Sequence, residues 1–283
     1  MALVPAAASQ GDTPPATATA QQRVQGLIKQ LGDGNYSVRE RAQVELGKLG
    51  FDAFDQLSDA ANDDDLEIAT RARILLRLMR VQWTRDDDPP EVKKLLEGYD
   101  TQPLETRTDH MRRLASLPAA AGIPALCRLV RYEQSAVLSK SAAVAILNRE
   151  PVPTAEAEKL AKMLRENLSG SRQVAAQWLL AYLDLRKAPK AGLAEWNRLV
   201  DVEQAVLRRT PERSSPHIVA SLLYDLAVIQ ADQGLQELAD RTAERARQMS
   251  PGRSVPELLT HLTTAYALRR RGLSLGRNRN IAR

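Results

Sequence analysis

The residues able to do chemistry in this sequence are few and scattered. There is one cysteine, Cys127, and there are three histidines, His110, His217 and His261. A zinc site needs Cys, His or carboxylate ligands at close spacing. Here each histidine falls in a different helical segment, so no metal site is assigned. Cys127 lies among Ile123, Leu126, Leu129 and Val130 and reads as a small core residue rather than a nucleophile. As the only cysteine it forms no internal disulfide. Neither Gly-x-Gly-x-x-Gly nor Gly-x-x-x-x-Gly-Lys occurs, so nucleotide phosphates have no recognised cradle and no cofactor is implied. The acidic run Asp63-Asp64-Asp65 lacks the ligand spacing and glycine of a calcium loop and reads as helix capping and solvated charge. No catalytic residues are assigned.

Charge supplies one further feature. The formal net charge is +5, but residues 1–100 hold 12 Lys and Arg against 17 Asp and Glu. Residues 269–283 hold six Arg and no acid, and without them the balance is 34 against 35. The basic character therefore belongs to a tail, and Arg269, Arg270 and Arg271 are its candidate contacts for an anionic partner. A dedicated nucleic-acid binder usually carries a basic stripe along its fold, which argues against nucleic acid as the partner.

The elements that must position these groups are helices. Aromatic residues make up 4% of the chain, and the apolar residues recur at helical spacing. Ile68, Ala72, Leu75, Leu76, Met79 and Trp83 form one such set, and Val174, Trp178, Ala181, Tyr182 and Leu185 another. The expected helices are 22–31, 36–49, 52–61, 65–83, 91–98, 103–117, 122–131, 135–148, 155–168, 171–186, 191–209, 216–233, 235–249 and 254–271. Ser37-x-x-Glu40 and Ser254-x-x-Glu257 read as capping boxes, and Asp88-Pro89-Pro90-Glu91 has the same spacing. Ser215-Pro216 opens another helix. Trp83, Trp178 and Trp196 lie on apolar faces and read as core. No apolar run is long enough to span a membrane.

The helices repeat. A shift of 30 residues carries Leu27 onto Leu57, Val38 onto Ile68, Arg41-Ala42 onto Arg71-Ala72 and Leu46 onto Leu76. A small residue recurs at Ala42, Ala72, Ala142 and Ala176, where two helices crossing closely need one. Helix pairs that cannot bury their apolar faces alone must stack. The expected fold is all-α, an α/α superhelical solenoid of stacked antiparallel helix pairs.

Val38-Arg39-Glu40-Arg41-Ala42, Gly50-x-x-Ala53, and Asp65-Leu66-Glu67 followed by Arg71-Ala72-x-x-Leu75-Leu76 resemble HEAT repeats, over about 22–186. In that family an acid in the inter-helix turn often pairs with the arginine of the next helix, which implies Asp63, Asp64 or Asp65 with Arg71. Leu223-x-x-Leu226-Ala227-x-x-Gln230-x-x-x-Gly234, continued by Ala239, Ala243, Ala246 and Pro251, resembles a tetratricopeptide repeat, with a further helix at Leu259-x-x-Leu262-Thr263-x-x-Tyr266. That resemblance, over about 216–271, implies that Tyr224, Val228 and Asp232, then Thr260 and Thr264, face a partner groove. The combination is similar to bacterial repeat proteins and implies scaffold or adaptor work on a protein or peptide. The domains expected are a leader over 1–21, a HEAT-like solenoid over 22–186, a tetratricopeptide-like region over 187–272 and a basic tail over 273–283. In the leader, Ala6-x-Ala8 after Leu3-Val4-Pro5 is similar to a signal-peptide cleavage pattern, so a periplasmic or secreted location is favoured. The alternatives are a HEAT-like nucleic-acid binder, needing a basic concave face with aromatic residues, and a helical enzyme, needing a deep pocket with paired carboxylates.

Overall fold

The computed structural model describes residues 16–149 and 154–249. These residues fold as helices and turns, with no strand among them. Thirteen α-helices are present among the described residues: α1 (Ala16–Gln30), α2 (Tyr36–Leu49), α3 (Phe54–Ala60), α4 (Leu66–Leu78), α5 (Pro90–Leu96), α6 (Leu104–Ser116), α7 (Ile123–Tyr132), α8 (Ala136–Leu147), α9 (Thr154–Leu168), α10 (Val174–Lys187), α11 (Pro189–Arg209), α12 (Pro216–Asp232) and α13 (Gln236–Met249). The chain divides into two compact units, one ending at Arg80 and the other beginning at Val81.

In the first unit α1 packs on α2, α3 and α4, and α2 and α3 each pack on α4. Ala42 and Ala72, 30 residues apart, are both fully buried, as expected for a helix-crossing contact. Leu46, Phe54 and Leu57 fill the space around them. Gly32, after α1, lies against the start of α4: a Cβ there would stand 2.8 Å from an Asp65 carboxylate oxygen and 2.8 Å from Ile68.

Three local expectations are corrected here. α2 is capped by Asn35, whose side chain accepts the Ser37 amide at 2.9 Å, so the Ser37 capping box does not form. Asn35 takes that amide from an extended backbone and starts the helix at Tyr36. Asp65 does not pair with Arg71 but caps α4, accepting from the Glu67 and Ile68 amides at 2.8 and 3.3 Å. Arg71 turns instead to Glu67 at 2.7 Å and to Glu40 of α2 at 2.8 Å. α1 begins at Ala16, ahead of the start at 22, where Ala16, Ala18 and Ala20, alternating with two threonines, supply high helix propensity.

In the second unit most consecutive helices pack, α8 and α9 excepted, and so do next-but-one neighbours: α6 with α8, α7 with α9, α8 with α10. Ala142 and Ala176 occupy such contacts and are fully buried. α8 also meets α12, so it is covered on several sides. Its buried set, Leu138, Ser139, Lys140, Ala142, Ala143, Val144, Ala145, Ile146 and Leu147, runs round the helix, as an interior helix requires. Gly122 opens α7 against the end of α6, where a Cβ would lie 2.1 Å from the Leu114 carbonyl oxygen.

The helix expected over 65–83 ends at Leu78. Met79 leaves helical geometry at φ −74, ψ 105. The reason lies further along the chain. Trp83 packs 5.1 Å from the Tyr99 ring, donates its indole N–H to Asp100, and gives its carbonyl to Arg128 at 2.9 and 3.2 Å. Trp83 is buried as expected, but not on a helix. Asp88 is corrected too: it does not cap α5 but is buried, accepting from Arg128 and from the Arg85 amide. Trp178 and Trp196 are core residues on helices, and Cys127 is buried.

Candidate partner-binding surface

α12 carries three of the residues expected to meet a partner. Ser215 caps it, accepting the Ile218 amide at 3.3 Å, and Pro216 occupies the first turn, as the sequence leads one to expect. Beyond its end Gly234 adopts φ 79, and the Leu235 amide reaches back to the Gln230 carbonyl at 2.9 Å. α13 then packs along α12. Tyr224, Val228 and Asp232 rise at i, i+4 and i+8 along α12, and the row runs from the interior outward. Tyr224 is 2% exposed, Val228 half-buried and Asp232 exposed. Burial pushes the Tyr224 hydroxyl up, with Arg247 opposing and Glu244 adding to the shift, so its charged neighbours sit on α13. The part of the row open to another molecule is therefore Val228 and Asp232. Thr260, Thr264, Arg269, Arg270 and Arg271 lie outside the described residues, as do His261 and the Ser254 capping box.

Next to this row is a cluster the sequence reading missed. Asp225 sits within α12, and its Oδ2 is buried with no hydrogen-bond partner among the described residues. Desolvation pushes its carboxyl to about 7. Tyr182 of α10 feels Asp225, Arg186 and Asp232, and burial is the main cause that raises its phenol. The Arg186 guanidinium stands 5.9 Å from the Tyr182 ring centre, and the Trp196 ring of α11 lies 5.6 Å from it on centroids. The Trp196 indole nitrogen is also buried and unpartnered among the described residues. Three helices thus bring together two aromatic rings, one arginine, a carboxyl that titrates near neutrality and two unsatisfied polar atoms. Such a set can hold a proton on the Asp225 carboxyl within the helix junction. The signal was legible: Asp225 is the lone acid in Leu222-Leu223-Tyr224-Asp225-Leu226-Ala227-Val228-Ile229.

Elsewhere in the second unit a cleft of about 610 Å³ is lined by Trp83, Lys93, Lys94, Glu97, Tyr99 and Asp100, among others. Its wall is held by closed contacts. The Tyr99 hydroxyl donates to Glu133 at 3.0 Å, Arg107 donates to the same carboxylate oxygen at 2.7 Å, and the Arg107 guanidinium lies 4.4 Å from the Tyr99 ring centre. Burial and the Glu133 charge push the Tyr99 phenol upward. Among the described residues no three His, Cys, Asp or Glu side chains are grouped to hold a metal ion. His110 and His217 lie on α6 and α12, and burial pushes the Cys127 thiol up to about 12.

No protein-family model matches the chain. No curated protein matches it either, and no solved structure does. Among the described residues, no helix is long and apolar enough to cross a membrane.

Proposed function

We propose that the protein is a non-catalytic interaction scaffold, an α/α solenoid of HEAT-like pairs followed by a tetratricopeptide-like region, and that it binds a protein or peptide along α12. The observation that carries this reading is the junction of α10, α11 and α12. Val228 and Asp232 are accessible there, beside a carboxyl and an indole nitrogen that find no partner among the described residues. Buried polar groups left unpaired cost free energy. Both atoms are buried, so a partner meets the accessible Val228 and Asp232 rather than these atoms themselves. Four fully buried alanines at the repeat positions add support, because they let successive helix pairs approach closely.

The test is cross-linked affinity capture of the tagged full-length protein from its native host. It compares wild type with Val228→Lys/Asp232→Ala and with a control, Lys159→Ala/Lys162→Ala on α9. The expected result is a protein captured by wild type and control, cross-linked to α12, and lost from the α12 variant. Capture that ignores the α12 variant would overturn the reading. So would recovery only of nucleic acid or lipid that depends on Arg269, Arg270 and Arg271.

A further inference from the structure

α4 keeps an unusual outer face. Leu66 is 78% exposed and Leu78 71%, with Ile74 and Thr70 also exposed between them. These four fall at i, i+4, i+8 and i+12, one ridge along the helix. Beside the ridge stand Arg73 and Arg77, and Arg80 follows just beyond the helix end. All three are exposed, and none is within ion-pair distance of an acid among the described residues. The other end is acidic: Asp64 is exposed and unpaired among the described residues, and Glu67 keeps a side chain 46% exposed beyond its bonds to Arg71 and Arg39. α2, which packs on α4, repeats the apolar part in register: Tyr36 and Val44, 30 residues before Leu66 and Ile74, are exposed too.

A ridge that is mostly apolar, interrupted by Thr70, acidic at one end and basic at the other, complements itself when reversed. We propose that α4 is a homodimer interface, pairing antiparallel with α4 of a second copy about a two-fold axis near Ala72. The register is fixed by the sequence. Leu66 of one copy meets Leu78 of the other, Thr70 meets Ile74, Glu67 meets Arg77, and Asp64 meets Arg80, each contact occurring twice as an isologous interface demands. Contacts running from residue 64 to residue 80 require the two helices to lie nearly antiparallel, at the shallow crossing of about 20°. Charge complementarity selects a second copy over an anionic lipid surface, which would meet Asp63, Asp64 and Glu67 as like charges. The paired helices are about 20 Å long, so the interface is small and the association is of the weak, transient kind. This interface is separate from the α12 surface, and either can fail without the other.

The experiment is sedimentation velocity of the full chain from about 1 to 300 µM, the range over which a weak association is read. It uses wild type, Arg77→Glu/Arg80→Glu, Asp64→Arg/Glu67→Arg, and an equimolar mixture of the two variants. Circular dichroism melts confirm that each folds, since Glu67→Arg also removes a bond to Arg71. Wild type is expected to dimerise and each variant to lose at least tenfold in self-association. The mixture is expected to form a heterodimer at least as tight as the wild-type dimer, because every charge contact is then opposite in sign. A wild-type chain that stays monomeric throughout overturns the proposal. So does a dimer that neither variant weakens, or a mixture of folded variants that does not associate.

Discussion

The two units hold their charges differently. In the first, ion pairs lie at the surface between adjacent helices. Arg71 joins Glu67 within α4 to Glu40 on α2, and the side chains of both acids are more than 40% exposed. The second also carries exposed pairs, such as Arg198 with Glu195, but it adds interior ones that join distant segments. Lys140 of α8 places its ammonium 2.7 and 2.8 Å from the two Glu203 oxygens of α11 and 2.9 Å from the Arg213 carbonyl, and Ser214 donates to the same carboxylate. Arg128 is buried against Asp88 and the Trp83 carbonyl, and Arg107 against Glu133. Pairs whose acid stays exposed add little, since water already solvates that partner, although the Arg71 side chain is itself only 12% exposed. Buried pairs are expensive to break, because the survivor is an unpaired charge in low dielectric. A repeat array can be held by nearest neighbours alone. The contacts of α8 with α12 and of Lys140 with Glu203 span 63 residues or more, and they make the second unit cooperative over a longer stretch of chain.

The largest expected effect tests that contrast. Glu203→Ala strands the Lys140 ammonium and should destabilise the second unit by about 3–5 kcal/mol, read as a lower urea midpoint. Lys140→Met/Glu203→Leu removes both charges and should restore most of the loss. A similar loss in both variants would place the effect in packing rather than charge.

Asp225 gives a pH signature to the second unit. Its carboxyl sits at about 7 when folded, against an ordinary value of 3.8. The folded state therefore holds the proton more tightly than the unfolded chain. Its contribution to stability is full below about pH 4 and is lost as pH rises to about 7. Asp225→Asn should thus stabilise the protein at pH 8, by on the order of a few kcal/mol. The difference from wild type should shrink by pH 5. Equal shifts in melting temperature at both pH values would refute it.

The first unit depends on small residues at its crossings. Ala72→Leu adds three heavy atoms where the side chain is fully buried and should cost about 1–3 kcal/mol or more. Smallest of all, Arg71→Ala should cost about 1 kcal/mol or less, diminishing in high salt. If Arg71→Ala matched Glu203→Ala, the contrast between surface and interior ion pairs would fail.

Periodicity and the small-residue positions were legible in the sequence because both are local. Helical spacing of apolar residues follows from 3.6 residues per turn. Ala42, Ala72, Ala142 and Ala176 announce close crossings whatever lies opposite. Ser215-Pro216 and the core tryptophans were readable for the same reason. What tertiary structure alone decided was where local preference is overruled by a distant partner. Residues 79–83 fit a helix, yet Arg128, 45 residues away, takes the Trp83 carbonyl. Asp88 fits a cap, yet the same arginine holds it. Arg71 fits a pairing with the turn acids, yet Glu40 of the neighbouring helix lies closer to hand. Asp225 announces itself by its apolar surroundings, but its titration near neutrality comes from the burial that packing imposes, with no partner among the described residues to offset it. Local patterns specify what a segment prefers, and only the folded packing fixes which donors and acceptors stand within reach.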